Sequence, residues 1–143
     1  MSDIELREID FGNLDEIAEL RVTPGQMDLV ADNAYSIAQA LLDPEGDCCA
    51  AYEEDRAVGF LYTRLLDEGR RLYLCRFMVD HRQQGRGLGR RMLMELLHTA
   101  FASEELECVD LAVSSEPGSA EGFYQKCGFV PTDEPYKGGR RML

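Results

Sequence analysis

Between Val79 and Leu97 the chain reads VDHRQQGRGLGRRMLMELL, with Gly85, Gly87 and Gly89 at alternate positions among Arg82, Arg86, Arg90 and Arg91. A glycine-rich turn that runs into an apolar stretch of helical period exposes the first amides of a helix. Those amides have no internal partners and sit at the positive end of the dipole. Glycines let them approach a ligand closely, so the chemistry expected here is anion binding. Arg86, Arg90 and Arg91 are electrostatically misplaced at a positive helix end unless a negative group offsets them. The plainer alternative is a solvated helix face. Two phosphate motifs are excluded by spelling. The loop has no lysine, which rules out G-x-x-x-x-G-K-[ST], and the third glycine of G-x-G-x-x-G would fall on Arg90 or Met92.

The elements that must carry this loop follow from periodicity. IELREI, from Ile4 to Ile9, alternates as a strand, and FGNLDEIAEL has helical period with Asn13 or Asp15 as an early cap. VTPGQMDLVADNAYSIAQALL reads as a turn at Pro24-Gly25 followed by one or two short helices that end before Pro44. CCAAYEE and AVGFLYTRLL form two strands about a turn at Glu54-Asp55-Arg56. RLYLCRFMV is a third strand after a turn at Glu68-Gly69. The glycine loop and a helix to about Phe101 come next, then the strand CVDLAV. A short helix in GSAEGFYQKCG stops at Gly128, and a final strand pair lies in GFVPTDE and GGRRML. The order β-α-α-β-β-β-α-β-α-β-β contains a strand–helix–strand crossover, so an α/β fold with a mixed sheet and at least one parallel pair is expected.

The 143 residues suit one domain, 1–143, and 45% hydrophobic content suits a packed core. The formal net charge of −12 argues against nucleic-acid binding, which needs a basic footprint. Residues 1–70 hold 5 basic and 17 acidic groups, which is the whole of that excess; residues 71–143 hold 10 of each. That split reads either as a solvated acidic surface or as an acidic half that attracts a cationic partner. No apolar run is long enough to span a bilayer. MSDIELREID lacks the basic and apolar blocks of a signal peptide. The five cysteines are an odd number without zinc spacing, so no metal site is expected. Reduced thiols in a cytoplasmic protein are the expectation, with Cys75 and Cys127 as small buried hydrophobes.

FMVDHRQQGRGLGRRML resembles motif A of the GNAT superfamily of N-acetyltransferases, whose pattern Q/R-x-x-G-x-G/A falls on Gln84, Gly85, Arg86, Gly87, Leu88 and Gly89. AEGFYQKCGFVP resembles motif B, with Tyr124, Gly128 and Phe129. The expected element order is similar to that of the family over essentially the whole chain. VTPGQMDLVADNAYSIAQAL and LCRFMVD resemble the bacterial diamine and spermidine acetyltransferases.

The resemblance implies that the anion is the pyrophosphate of acetyl-CoA, the co-substrate, held by the amides of residues 85–90. It implies that Phe77, Met78 and Val79 pair with the pantetheine arm on a strand that splays from its neighbour. It makes Tyr124 the general acid that protonates the leaving thiolate. A phenol of pKa about 10 giving its proton to a thiolate of pKa about 8.5 is uphill, but feasible when concerted. A backbone amide of Phe77 or Met78 would meet the oxyanion. Where the family often carries an asparagine before the motif B tyrosine, this chain has Glu116 and Pro117, so no contact to the cofactor arm is assigned there. Glu116, Asp80 or a water chain could serve as base. Arg76, on a strand expected to be buried, calls for an acidic partner from the N-terminal half or a route to solvent. The acceptor implied is a small cationic amine such as a polyamine. The alternatives are a protein or peptide amine, or a CoA-binding module without turnover. A homodimer is compatible with the family.

Overall fold

The computed structural model describes residues 4–21, 33–114, 121–136 and 139–142, with side chains for 4–21, 33–112 and 121–132. The elements are β1 (Ile4–Glu8), α1 (Leu14–Ala18), α2 (Asn33–Leu41), β2 (Gly46–Glu53), β3 (Arg56–Leu66), β4 (Arg71–Val79), α3 (Leu88–Ala100), β5 (Cys108–Ser114), α4 (Glu121–Lys126), β6 (Pro131–Tyr136) and β7 (Gly139–Met142). The strands lie in one seven-stranded sheet of order β1-β2-β3-β4-β5-β7-β6. Among the described residues only β4 and β5 pair in parallel, and they are joined by α3 as the crossover requires. This is the order and the mixed α/β class that the periodicity predicts. The expected turn at Pro24-Gly25 lies outside the described residues, as do Glu116 and Pro117.

Each face of the sheet carries its own core. Leu72, Leu74, Val109 and Leu111 pack with Leu88, Met92, Leu93 and Leu96 of α3 and with Tyr124 and Phe129. Ile17 and Leu20 pack with Ala50, Tyr52, Phe60, Tyr62 and Met78 on the opposite face, beneath α1 and α2. Local chemistry explains the turns. Glu54 and Asp55 both take positive φ, 50° and 65°, which matches the two-residue hairpin between β2 and β3. Gly128, at φ 103°, ends α4 as expected, with the Phe129 amide closing onto the Tyr124 carbonyl at 3.0 Å. At α1 the expected side-chain cap is absent. Asn13 holds the N-cap position, but its side chain bonds back to the Glu8 carbonyl and the Asp10 amide, while the Asp10 carboxylate accepts from Gly12 and Asn13.

One irregularity shapes the centre of the sheet. Thr63 faces Leu74 and Tyr62 faces Arg76, so Cys75 is an extra residue on β4. Strict alternation would put Arg76 and Met78 on the face of Leu72 and Leu74. The bulge shifts the phase by one, as a bulge must. Phe77 and Val79 therefore join the α3 face, while Cys75 and Met78 turn toward α1 and α2.

Candidate active site

The parallel ladder between β4 and β5 runs from Arg71–Cys108 to Leu74–Leu111 and stops there. Beyond it β4 continues to Val79 on β3, while β5 continues to Ser114 on β7. The ladder ends next to the Cys75 bulge, and bulges bend and twist the strand that carries them. Phe77, Met78 and Val79 thus form a strand edge that pairs with β3 on one side and not with β5 on the other. Each remaining backbone group on that edge needs a partner.

The glycine loop lies at the end of the same strand. Gly85 and Gly87 take positive φ, 85° and 75°, and Gly87 is the left-handed N-cap of α3. A side chain on either would meet nothing within 4 Å, so the loop borders open space. The first helical bond is Arg91 amide to Gly87 carbonyl at 3.3 Å, and the amides from Gly85 to Arg90 find no acceptor among the described residues. Gly89 has a different reason to be glycine. A Cβ there would stand 3.3 Å from the Phe123 ring and 3.5 Å from Val79, where α3 meets both α4 and the end of β4. Leu88 is buried in the core under α3, and Gln84 braces the loop by donating to the Val79 carbonyl at 3.0 Å. The loop thus has the open cradle and the unpaired amides that a pyrophosphate requires.

The arginines of the loop are accounted for differently from the sequence expectation. Arg86 donates to Glu53 at 3.0 Å and Arg91 donates to it at 3.4 Å, while Arg82 pairs with Asp80 at 2.7 Å. The anion that offsets most of this charge is a carboxylate of the protein itself. Arg90 alone of the three helix-end arginines has no ion pair among the described residues. Glu53 was not legible as a partner. It sits at the end of an apolar strand, 33 positions before Arg86, and only the fold joins them.

Tyr124 is 8% exposed and its ring lies in an aromatic group. Phe77 stands edge-on at 6.2 Å, Phe123 at 5.2 Å and Phe129 at 5.8 Å. Burial pushes its phenol well above the ordinary value, so it holds its proton at neutral pH. The hydroxyl has no hydrogen-bond partner among the described residues. Its ring thus belongs to the core beside Phe77 of the open strand edge.

Asp80 does not suit a base. It is buried, with one carboxylate oxygen taken by the Arg21 amide at 3.1 Å and the other by Arg82 at 2.7 Å. Glu116 lies outside the described residues. Of the two expectations for Arg76, an acidic partner or a route to solvent, the second holds: among the described residues it has no ion pair, and it is only half-buried. It reaches the Gln39 side chain of α2 at 3.4 Å and the Cys75 carbonyl at 3.1 Å. Part of the N-terminal acidity is neutralised internally, as in Asp43 with Arg64 at 2.6 Å and Asp55 with Arg7 at 2.6 Å. All five cysteines are half-buried thiols outside any disulfide, Cys75 and Cys127 at core margins. Burial pushes the Cys48 and Cys49 thiols to about 12. Among the described residues no helix is long and apolar enough to cross a membrane.

Residues 14–129 match the family model described as the acetyltransferase (GNAT) family. The spermine/spermidine N(1)-acetyltransferase of Bacillus subtilis is 26% identical over 146 aligned positions, covering 98% of this chain and 96% of that protein. The crystal structure of an acetyltransferase from Thermus thermophilus superposes with a TM-score of 0.78 at 18% identity, covering 99% of this chain and 97% of that one. The spermidine N-acetyltransferase of Vibrio cholerae, in complex with CoA and spermine, superposes with a TM-score of 0.72 at 17% identity, covering 98% and 92%. The match over the body of the chain, on a sheet whose parallel pair opens beside a glycine-rich helix start, makes this protein an N-acetyltransferase of the GNAT family.

Proposed function

We propose that the protein transfers an acetyl group from acetyl-CoA to a small cationic amine of the polyamine type. The observation that carries this reading is the juxtaposition of two backbone surfaces: the β4 edge from Phe77 to Val79, which does not pair with β5, and the amides from Gly85 to Arg90. One suits an extended amide-bearing arm and the other a pyrophosphate, and they are joined through Val79 and Gln84. Acetyl-CoA supplies an activated thioester. Phe77, Met78 and Val79 hold its arm by strand-like bonds, and Gln84 to Arg90 hold the pyrophosphate, with Leu88 seating α3 in the core.

A backbone amide of Phe77 or Met78 takes the charge that develops on the carbonyl oxygen. As the amine nitrogen bonds to the carbonyl carbon, the carbon–sulfur bond breaks, and the Tyr124 hydroxyl gives its proton to the leaving sulfur. The aromatic group around Tyr124 fixes the ring and keeps the phenol neutral until that moment. We assign the amine's own proton to solvent rather than to Asp80, whose oxygens are both engaged.

The polyamine acceptor is supported by the similarity to the Bacillus enzyme and by the acidity of residues 1–70. A thiol-release assay over spermidine, a neutral amine and a peptide N-terminus tests it. Release with spermidine well above the others supports the reading. Release with the peptide alone would make the protein a peptide acetyltransferase, and CoA binding without release would make it a binding module.

A further inference from the structure

Glu53 closes β2 with a side chain only 7% exposed, and it gathers guanidiniums from three separate pieces of chain. Its Oε1 accepts from Arg86 at 3.0 Å and stands 3.7 Å from Arg56, while its Oε2 accepts from Arg91 at 3.4 Å. Gln83 reinforces the same knot, its Oε1 accepting from Arg86 at 2.7 Å and from Arg56 at 3.3 Å. The β2–β3 hairpin, the glycine loop and the first turn of α3 are thereby tied at one point. The arginines hold the Glu53 carboxyl below the ordinary carboxylate range, Arg86 contributing most. A carboxylate this buried is costly to hold unless charge-assisted bonds compensate it, and here they do.

Arg86 occupies the position where the loop most needs an anchor. It lies between Gly85 and Gly87, both in the left-handed region, and neither glycine has a neighbour within 4 Å of where a side chain would begin. Backbone freedom is greatest at such positions. The Arg86 side chain is what fastens this stretch, and it is fastened to Glu53. A guanidinium held there is also withdrawn from any anion that the amides bind.

We propose that Glu53 is a positioning residue for the phosphate loop, resting on the reading of that loop as the pyrophosphate site of CoA. By drawing Arg86 and Arg91 onto the hairpin it holds the amides from Gly85 to Arg90 in one conformation. Arg90 is left as the guanidinium that meets phosphate, and Arg86 acts through Glu53 rather than on the ligand. A ligand that meets preordered amides pays less to order them.

The test is calorimetric titration of CoA into wild type, Glu53→Gln, Arg86→Gln and the double variant, with amide hydrogen exchange of the free proteins and steady-state kinetics. Wild type that fails to bind CoA would reject the site itself, a separate outcome from those that follow. If wild type binds, Glu53→Gln is expected to weaken CoA about tenfold, comparable to ordering one long side chain and its loop at binding. The KM for acetyl-CoA should rise while kcat at saturation holds, and exchange at residues 85–90 should quicken. The double variant should bind no more weakly than Glu53→Gln alone. Tighter binding by Glu53→Gln would show that Glu53 competes with phosphate for the arginines and would overturn the proposal. Unchanged binding would overturn it, and so would a further loss from Arg86→Gln in the double variant, which marks direct contact. If Glu53→Gln does not fold, Glu53→Asp keeps the charge and withdraws it. It is expected to weaken CoA in smaller measure, and unchanged or tighter binding there overturns the proposal equally.

Discussion

The rings of Tyr124 and Phe77 stand edge-on, 6.2 Å between centroids at 64°, which ties the buried phenol to the strand edge just past the last β4–β5 rung at Leu74–Leu111. Edge-to-face packing of this kind fixes a ring without using its hydroxyl. Removing the hydroxyl alone should therefore leave packing intact. Tyr124→Phe is expected to lower kcat by about 10²-fold, the range for losing a general acid, with CoA affinity and Tm nearly unchanged. Because burial raises the phenol, wild-type kcat should show no alkaline loss from this group up to its ordinary pKa of about 10. Pre-steady-state and pH-rate measurements check both. Wild-type turnover by the variant would mean that the thiolate is protonated from elsewhere.

The four-rung parallel ladder that precedes the opening is braced by Arg71, which grips Asp110 with two bonds of 2.7 Å across β4 and β5. Asp110 is 0% exposed, so loss of the arginine leaves a buried charge without its main cation. Arg71→Met is expected to cost about 3–5 kcal/mol in denaturant unfolding, the range for breaking a buried pair by removing one partner. A cost below 1 kcal/mol would show that other partners of Asp110 suffice.

Arg64 and the Tyr62 hydroxyl hold the Asp43 carboxyl down to about 2, well below its ordinary 3.8. A depressed carboxyl stabilises the fold fully above its unfolded pKa and loses that contribution as pH falls through the folded one. Stability should accordingly fall between about pH 4 and pH 2, and Asp43→Asn should be less stable at neutral pH with a flatter acid limb. Thermal melts across that range read both. An unchanged acid limb in the variant would remove Asp43 from the account.

Much of this architecture was legible in the sequence because it rests on local signals. Alternation from Ile4, the Glu54-Asp55 turn, the left-handed stop at Gly128 and the glycines opening α3 each follow from a few neighbouring residues. The bulge at Cys75 was not legible, since RLYLCRFMV alternates no worse through it than without it. It depends on pairing with β3, and it decides that Phe77 rather than Arg76 shares the face of Tyr124. The partner of Arg86 was missed for a similar reason. The charge imbalance at the loop was visible, but the carboxylate that answers it comes from another hairpin. Arg76 required something polar, and the answer was the amide of Gln39 on α2 rather than an acid.

The acceptor reading makes a prediction about salt. Exposed charges are screened over about 8–10 Å at ordinary ionic strength, so attraction of a polycation by the N-terminal acidity should weaken as salt rises. The kcat/KM for spermidine is expected to fall with salt, while a neutral amine remains a poor substrate throughout. A salt-adapted surface predicts the opposite, with activity and Tm rising together. Titrating both against salt separates the two.

The central claim is that the loop at Gly85–Gly89 and the open edge of β4 hold acetyl-CoA. Calorimetric titration of CoA into wild type and Gly87→Asp tests it most directly. Gly87 needs φ near 75° and borders open space, so an aspartate there is strained and places a negative charge where phosphate must sit. Wild type is expected to bind one CoA per chain, and the folded variant to bind at least about tenfold more weakly, a change of roughly 1.4 kcal/mol. Equal affinity in the two proteins, or no binding by wild type, would contradict the account.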